Sequence, residues 1–365
     1  MKIYNHIDEF TRINNAVVTI GTFDGVHVGH QKIINRLLEI TRQSAGESVI
    51  LTFFPHPRMI LHPEDINIKL ISTMAEKASL LEQAGIDHLI ITPFTRDFSN
   101  LSPQEYIKDF LVDRIGTKSL VIGYDHRFGK DRSGGLTHLQ QYSSEYGFEV
   151  EEIPEQDIHD VAVSSTKIRQ AILSGDIETA NDFLGYPFKL TGKVIKGDQI
   201  GRKLGFPTAN LFIEESYKLI PSDGIYAVMV QISNQQSAIR DQLSAISHQQ
   251  PEISVQPSET FNLEPQTSNL QPSTSNLQPP TSNLQPSTSN IKLLNGMAYI
   301  GRRPTINGMT RNIEVNIFDF DRDIYGHRIQ LRFLKFIRFD EKFTSTAELT
   351  EQLKKDESAV RLFIS

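Results

Sequence analysis

Between residues 16 and 153 short apolar runs alternate with stretches of helical periodicity, and that alternation leaves few folds open. AVVTI (16–20), SVILTFF (48–54), HLIITPF (88–94), KSLVIG (118–123) and FEVEEI (148–153) read as strands. From His30 onward Ile33, Ile34, Leu37, Leu38 and Thr41 follow helical spacing. TMAEKASLLEQAG (73–85) has the same texture and ends on a glycine suited to a C-cap. Ser102-Pro103-Gln104-Glu105 combines an N-cap serine, a proline at N1 and a glutamate at N3, so a helix should run on through Tyr106, Phe110 and Leu111. Strands separated by helices predict an α/β domain with a doubly wound parallel sheet. Ligands of such sheets bind at the carboxyl ends of the strands, near the switch in strand order.

After about residue 186 the texture changes. FKLTGKVIKGD, YAVMVQI, MAYIGRRPT, NIEVNIFDF and IQLRFLKFIRF are strand-like and punctuated by Gly, Pro and Asp. Helical spacing returns only in TSTAELTEQLKKDESAVRLF (344–363). The expectation is an antiparallel β-barrel, or a sandwich, with a terminal helix. This divides the chain into residues 1–186 and 187–365.

The second part is interrupted by an insert, 233–291, that ends in the seven-residue repeat TSNLQPS, TSNLQPP, TSNLQPS. A heptad coiled coil needs two apolar positions per repeat and no proline, whereas this repeat offers one leucine and a proline. Such a segment cannot bury a core, and disorder is the expectation. Its flanks, GIYAVMVQI and LNGMAYIG, read as neighbouring strands, so the insert reads as an overgrown hairpin loop. Closure entropy grows only logarithmically with loop length, which makes that tolerable.

Composition removes several function classes. The 365 residues include no cysteine, which excludes disulfides, thiolate catalysis and Cys-based zinc sites. A formal charge of −7 argues against general nucleic-acid binding. No secretory signal or membrane-length apolar stretch is visible, so a cytoplasmic protein is expected.

The first strand leads into GTFDGVHVGH (21–30). Gly21, Gly25 and Gly29 let the backbone turn sharply and approach a ligand. The helix that follows offers free N–H groups and a positive dipole end, which suit a phosphate. His27 and His30 could stabilise charge developing on phosphoryl oxygens. The same residues could instead shape a tight turn or form half a metal site, with His56 as the nearest further ligand. VSSTKIR (163–169) places Ser164, Ser165 and Thr166 at a helix start, followed by Lys167 and Arg169. Taken alone it reads first as an ordinary Ser/Thr helix cap with solvated basic residues.

In the second half GDQIGRKLGFPTANL (197–211) carries Gly197, Gly201 and Gly205, then Thr208 and Asn210 two residues apart, hence on one side of an extended segment. Hard oxygen ligands of that kind suit Mg²⁺ on ATP phosphates. A loop backed by a polar strand would look the same. No G-x-x-x-x-G-K-[ST] P-loop occurs, so the glycine-rich segment 197–205 would have to cradle any phosphates.

GTFDGVHVGH, LTFFPHP, GYDHRFGKDRSGG and VSSTKIRQAILSGDIETANDFLG together resemble the adenylyltransferase module of bacterial bifunctional riboflavin kinase/FAD synthetase, a nucleotidyltransferase fold. GDQIGRKLGFPTANL, YIGRRPT and NIEVNIFDFDRDIYG, in that order, resemble its riboflavin kinase module. The resemblance implies ATP-dependent phosphorylation of riboflavin to FMN, then adenylylation of FMN to FAD with release of pyrophosphate. It implies that His27 and His30 hold ATP phosphates together with Gly21, Phe23 and Gly29. Ser165, Thr166 and Arg169 would clamp the departing pyrophosphate, and Asp125 and Arg127 would contact flavin. In the kinase half Gly197, Gly201 and Gly205 would line ATP, Thr208 and Asn210 would hold Mg²⁺, and Glu314 would act as general base. The implied ligands are riboflavin, FMN, FAD and ATP; neither nucleic acid nor membrane is implied, and oligomeric state is open. Two rivals stand beside this reading: one activity only, or a non-catalytic flavin- or partner-binding protein.

Overall fold

The structure is a computed structural model describing residues 1–65, 68–154, 163–197, 200–233, 293–301 and 311–364. Nearly all of the expected disordered insert, and the RRPT of YIGRRPT, lie outside the described residues.

The first lobe is a six-stranded parallel sheet in the order β1-β4-β3-β2-β5-β6. Its strands are β1 (Lys2–Tyr4), β2 (Ala16–Ile20), β3 (Glu47–Phe53), β4 (His88–Thr92), β5 (Thr117–Gly123) and β6 (Glu149–Ile153). Every residue of β2 and β4 is buried, as expected of strands covered on both faces. β1 is only three residues long, too short to show a period, and escapes notice in the sequence.

Helix α1 (Val28–Ser44) turns Ile34, Leu37 and Thr41 to the sheet. Helix α2 (Met74–Ala84) carries a complete capping box, Thr73 with Glu76, and ends on Gly85 at φ 92°. The capping box of Ser102 and Glu105 is also present. The segment it starts continues through Tyr106–Ile115 as a π-helix rather than an α-helix. The wider winding brings Ile107, Leu111 and Ile115, spaced four apart, and Tyr106, five before Leu111, onto one buried face. Helix α3 (Leu136–Tyr146) precedes β6.

The second lobe is a closed antiparallel barrel, β10-β11-β8-β7-β12-β9. It is built from β7 (Phe188–Ile195), β8 (Ala209–Phe212), β9 (Gly224–Ser233), β10 (Leu293–Gly301), β11 (Asn312–Ile317) and β12 (Arg328–Arg338). β9 and β10 pair directly, Gln231 opposite Leu293, so the flanks of the insert form the expected hairpin. The terminal helix α6 (Thr346–Ile364) buries Val360 against Ile225, Ala227, Met297 and Phe318.

Two helices lie between the lobes, α4 (Ser165–Ser174) and α5 (Ile177–Leu184). Their Ile168, Ile172, Ile177 and Leu184 belong to the same buried cluster as Leu190, Val228, Ile313 and Phe333 of the barrel. Asn181 ties them further: its Nδ2 donates to Phe333 O at 2.9 Å, and Phe188 N donates to its Oδ1 at 2.7 Å.

Candidate active sites

The chain moves outward from β2 through β3 to β4, then crosses back to place β5 on the other side of β2. The switch in strand order therefore lies between β2 and β5, and the loop leaving β2 is Gly21–His27. This loop is tightly wound. Phe23 and Val26 have φ of 45° and 40°, and Gly25 has φ 81°. A β-branched residue in this region is held there against its preference, by about 1–3 kcal/mol.

His27 is the N-cap of α1: His30 N donates to its Nδ1 at 3.4 Å. The two imidazoles stack with centroids 3.6 Å apart. Phe23 packs beneath Gly21 and lies 5.1 Å from the His30 ring, so it shapes the loop from inside rather than facing out of it. Burial lowers the His27 pKa to about 4, partly offset by Asp24, and lowers that of His30 as well. Both rings are therefore neutral at neutral pH. With Nδ1 accepting, His27 carries its proton on Nε2, the nitrogen left to donate. His30 Nδ1 is buried with no hydrogen-bond partner among the described residues. Gly29 is buried in the first turn of α1.

The expected partner segment does meet this loop. Ser164 caps α4, receiving Lys167 N at 3.3 Å. Ser165 Oγ donates to Asp24 O at 3.2 Å, and Arg169 Nη2 donates to Asp24 Oδ2 at 2.6 Å. Thr166 is exposed on the first turn. Arg169 Nε is also occupied, by Lys69 O at 2.9 Å. The guanidinium is thus fixed at the loop by a carboxylate before any ligand arrives.

Two residues of this site, Asp24 and Lys77, were not singled out by sequence reasoning, and a third, His56, was given another role. Asp24 is 2% exposed, and its carboxylate also receives Ile71 N and Ser72 N, each at 3.1 Å. Lys77, on α2, is 3% exposed and donates to Thr22 O at 2.6 Å; burial lowers its pKa to about 8. His56, weighed only as a metal ligand, caps a short helix through Arg58 N, and burial lowers its pKa to about 4. The signal for Asp24 was in the motif itself, a carboxylate among glycines. Lys77 gave none, since a helical lysine reads as solvated.

Asp125 and Arg127 are exposed on the turn after β5, beside the switch point. Arg127 Nη1 donates to His126 O at 3.3 Å, and the glycine at 135 leaves room for its guanidinium. His126 lies half-buried between them, its pKa lowered by desolvation to about 4 and its Nε2 buried and unpartnered among the described residues. Behind it Phe128 stacks on Tyr106 at 4.8 Å, and Phe98, Phe94 and Phe53 continue the aromatic wall.

In the barrel, Glu314 on β11 stands opposite Asn210 on β8. Its Oε2 accepts from Thr208 Oγ1 at 2.8 Å and its Oε1 from Asn312 Nδ2 at 2.5 Å. Asn316 Nδ2 donates to Pro207 O at 2.7 Å and so holds the start of β8 against β11. Gly197 lies against the Asn210 amide, where a Cβ would come within 2.3 Å of Nδ2. Gly201 is packed as closely on Phe206 O, and Gly205 turns the chain at φ 85°. Beside Thr208 opens a cavity of about 450 Å³, lined also by Val194, Arg202, Val315, Asp321 and Tyr325. Among the described residues no group of three or more acidic or histidine side chains is arranged to hold a metal ion, and no helix is long and apolar enough to cross a membrane.

A family model described as FAD synthetase matches residues 10–167, and one described as riboflavin kinase matches residues 184–364. The bifunctional riboflavin kinase/FMN adenylyltransferase of Listeria monocytogenes is 33% identical over 98% of this chain and 95% of its own length. The proteins of the same description from Bacillus subtilis and Escherichia coli are each 31% identical, over 95% of this chain and 92% of theirs. A crystal structure of a macrolide-efflux protein from Streptococcus pneumoniae is similar over 99% of this chain and 98% of that one, at 28% identity and a TM-score of 0.74.

Proposed function

The chain belongs to the bifunctional riboflavin kinase/FMN adenylyltransferase family, and on that premise we propose how its two lobes divide the work. The protein phosphorylates riboflavin to FMN with ATP and then adenylylates FMN to FAD. The parallel-sheet lobe carries the second reaction and the barrel the first, with the division near residue 186.

In adenylyl transfer an FMN phosphate oxygen bonds to the α-phosphorus of ATP as the bond to the β-phosphate oxygen breaks and pyrophosphate leaves. The observation that carries this assignment is the meeting of Asp24, His27, Ser165 and Arg169 at the switch between β2 and β5. His27 Nε2–H and the first N–H groups of α1 receive phosphate oxygens, with His30 stacked behind. Gly21 and Gly29 let those phosphates approach the backbone, and Phe23 supports the loop. Arg169, anchored by Asp24, and the Ser165 and Thr166 hydroxyls hold the departing pyrophosphate. Asp125 and Arg127 contact the flavin, whose ring plane suits the aromatic wall that ends at Phe128.

In the barrel the riboflavin 5′-hydroxyl attacks the γ-phosphorus and ADP leaves. Glu314 accepts the hydroxyl proton. Its contacts with Thr208 and Asn312 already fix the carboxylate in place. Gly197, Gly201 and Gly205 border the nucleotide. Thr208 and Asn210 suit Mg²⁺ arriving with ATP, because they are hard oxygen donors beside a carboxylate. When bound, the ion would neutralise charge on the phosphate oxygens.

The test is to incubate the protein with riboflavin, ATP and Mg²⁺ and to resolve the flavins over time. FMN should appear first and FAD after it. A His27→Asn variant should accumulate FMN. FAD formation at the parental rate in that variant would refute the role given to the 21–30 loop.

A further inference from the structure

The loop that would hold the ATP phosphates of adenylyl transfer does not stand on its own lobe alone. Residues 70–72 are gripped from both sides. On one side Ile71 N and Ser72 N donate to the Asp24 carboxylate, and Gly25 N donates to Ser72 Oγ at 3.1 Å. On the other, Leu70 N donates to Tyr217 O at 2.7 Å and Leu219 N to Leu70 O at 2.8 Å, a bridge to the segment between β8 and β9. Lys218, at the centre of that segment, donates through Nζ to Ile71 O at 2.5 Å. A single residue, Ile71, thus gives its N–H to the phosphate loop and its carbonyl to a lysine of the barrel lobe.

Lys218 is 2% exposed, and its ammonium is held in the pocket by Glu76 Oε2 at 2.6 Å. Glu76 is itself fixed, by Thr73 N at 3.0 Å and by Thr191 Oγ1 of β7 at 3.0 Å. Gln330 of β12 supports Thr191 at 3.2 Å. The Phe188 ring lies 4.6 Å from the ammonium. A second strut joins the same loop: Tyr186 Oη donates to Gly25 O. Buried ion pairs of this kind are costly to form and add little net stability over an apolar replacement. What this pair does supply is a fixed position for the Ile71 carbonyl, and through it for Asp24.

We infer that Lys218, though it belongs to the riboflavin kinase half, is a positioning residue for adenylyl transfer, acting through Ile71 on Asp24 and the His27 loop. The inference rests on the assignment of that loop to the FMN adenylyltransferase reaction. Among the described residues Lys218 meets Ile71, Glu76 and Phe188 and none of the groups placed in kinase chemistry, so its loss should separate the two activities of one polypeptide.

The experiment uses the full-length chain and measures both reactions in each variant, FMN from riboflavin and FAD from FMN, with thermal melting alongside. Lys218→Met leaves Glu76 buried without its cation, so the charge-neutral pair Glu76→Gln/Lys218→Met is made as well and decides the matter if the single variant does not fold. The expected result is a loss of about tenfold in kcat for FAD formation, with KM for FMN within about twofold and both kinase parameters within about twofold. Lys218→Arg, which can still reach a carbonyl and a carboxylate, should recover most of the rate. Unchanged FAD formation in the charge-neutral pair would overturn the inference. So would a parallel fall in both activities, which marks a merely structural role. His27→Asn serves as the control: if it forms FAD normally, the loop assignment fails first and the inference with it; if it does not, while the Lys218 variants do, only the inference fails.

Discussion

Four histidines, His27, His30, His56 and His126, are held uncharged by burial, three of them with pKa values near 4. An unfolded chain titrates its histidines near 6.5, so between about pH 6.5 and 4 unfolding takes up protons at these positions. Stability should accordingly fall as pH drops through that window, by up to about 1.4 kcal/mol per pH unit for each such histidine. Urea titrations from pH 7 to 4.5 would read this slope, and a flat midpoint would contradict the buried neutral state. Lys77 works at the other end. Its pKa of about 8 lies below the unfolded value, so its burial penalty is full below pH 8 and is relieved as pH rises toward 10.5. Glu314→Gln keeps the shape but cannot take a proton. It should slow FMN formation by about 10²–10⁴-fold and leave FAD formation from supplied FMN intact, which flavin chromatography resolves directly.

Single backbone positions govern two of the elements. A Cβ at Gly197 would sit 2.3 Å from the Asn210 amide, so Gly197→Ala must displace the β8 side chain expected to meet Mg²⁺. The kinase rate should fall by about tenfold to a hundredfold while adenylyl transfer is spared. Gly25→Ala meets both a φ of 81° and Ile71 Cγ2 at 2.9 Å. It should cost about 1–2 kcal/mol from the backbone alone and impair FAD formation selectively, read by melting and by the two assays. Elements of this kind were legible wherever the physics is local. Strands buried on both faces show as unbroken apolar runs, capping boxes show as fixed spacings, and the 21–30 loop shows as glycines between a strand and a helix. Pairings across the chain were not. Nothing near Asp24 announces Arg169, 145 residues away, and nothing near Ile71 announces Lys218. β1 is too short to carry a period, and the π-helical winding of 106–115 depends on what it packs against.

At the scale of the molecule, α4 and α5 are covalently next to the sheet lobe yet share their apolar core with the barrel. A fragment beginning at residue 187 leaves Ile168, Ile172, Ile177 and Leu184 without their place, each contributing about 1.5–3 kcal/mol when buried. A fragment beginning at residue 163 keeps them. The longer kinase fragment should melt well above the shorter one, and equal melting temperatures would show that the shared cluster is dispensable to the barrel. The β9–β10 hairpin bears on the other break in the chain. Its register runs unbroken from Gly224 opposite Ile300 to Gln231 opposite Leu293, so the two strands meet as neighbours although 59 residues separate Ser233 from Leu293 in the chain. Replacing those residues with a short turn should leave both activities in place, as assayed on riboflavin and on FMN. Paired antiparallel strands hold opposing Cα atoms about 5 Å apart. Gln231 and Leu293 stand in that relation, so the junction just beyond them is a ready port for grafting: a reporter domain or epitope whose own ends lie close together could take the place of the segment that follows Ser233 and be displayed from the barrel rim of a working flavin-making enzyme.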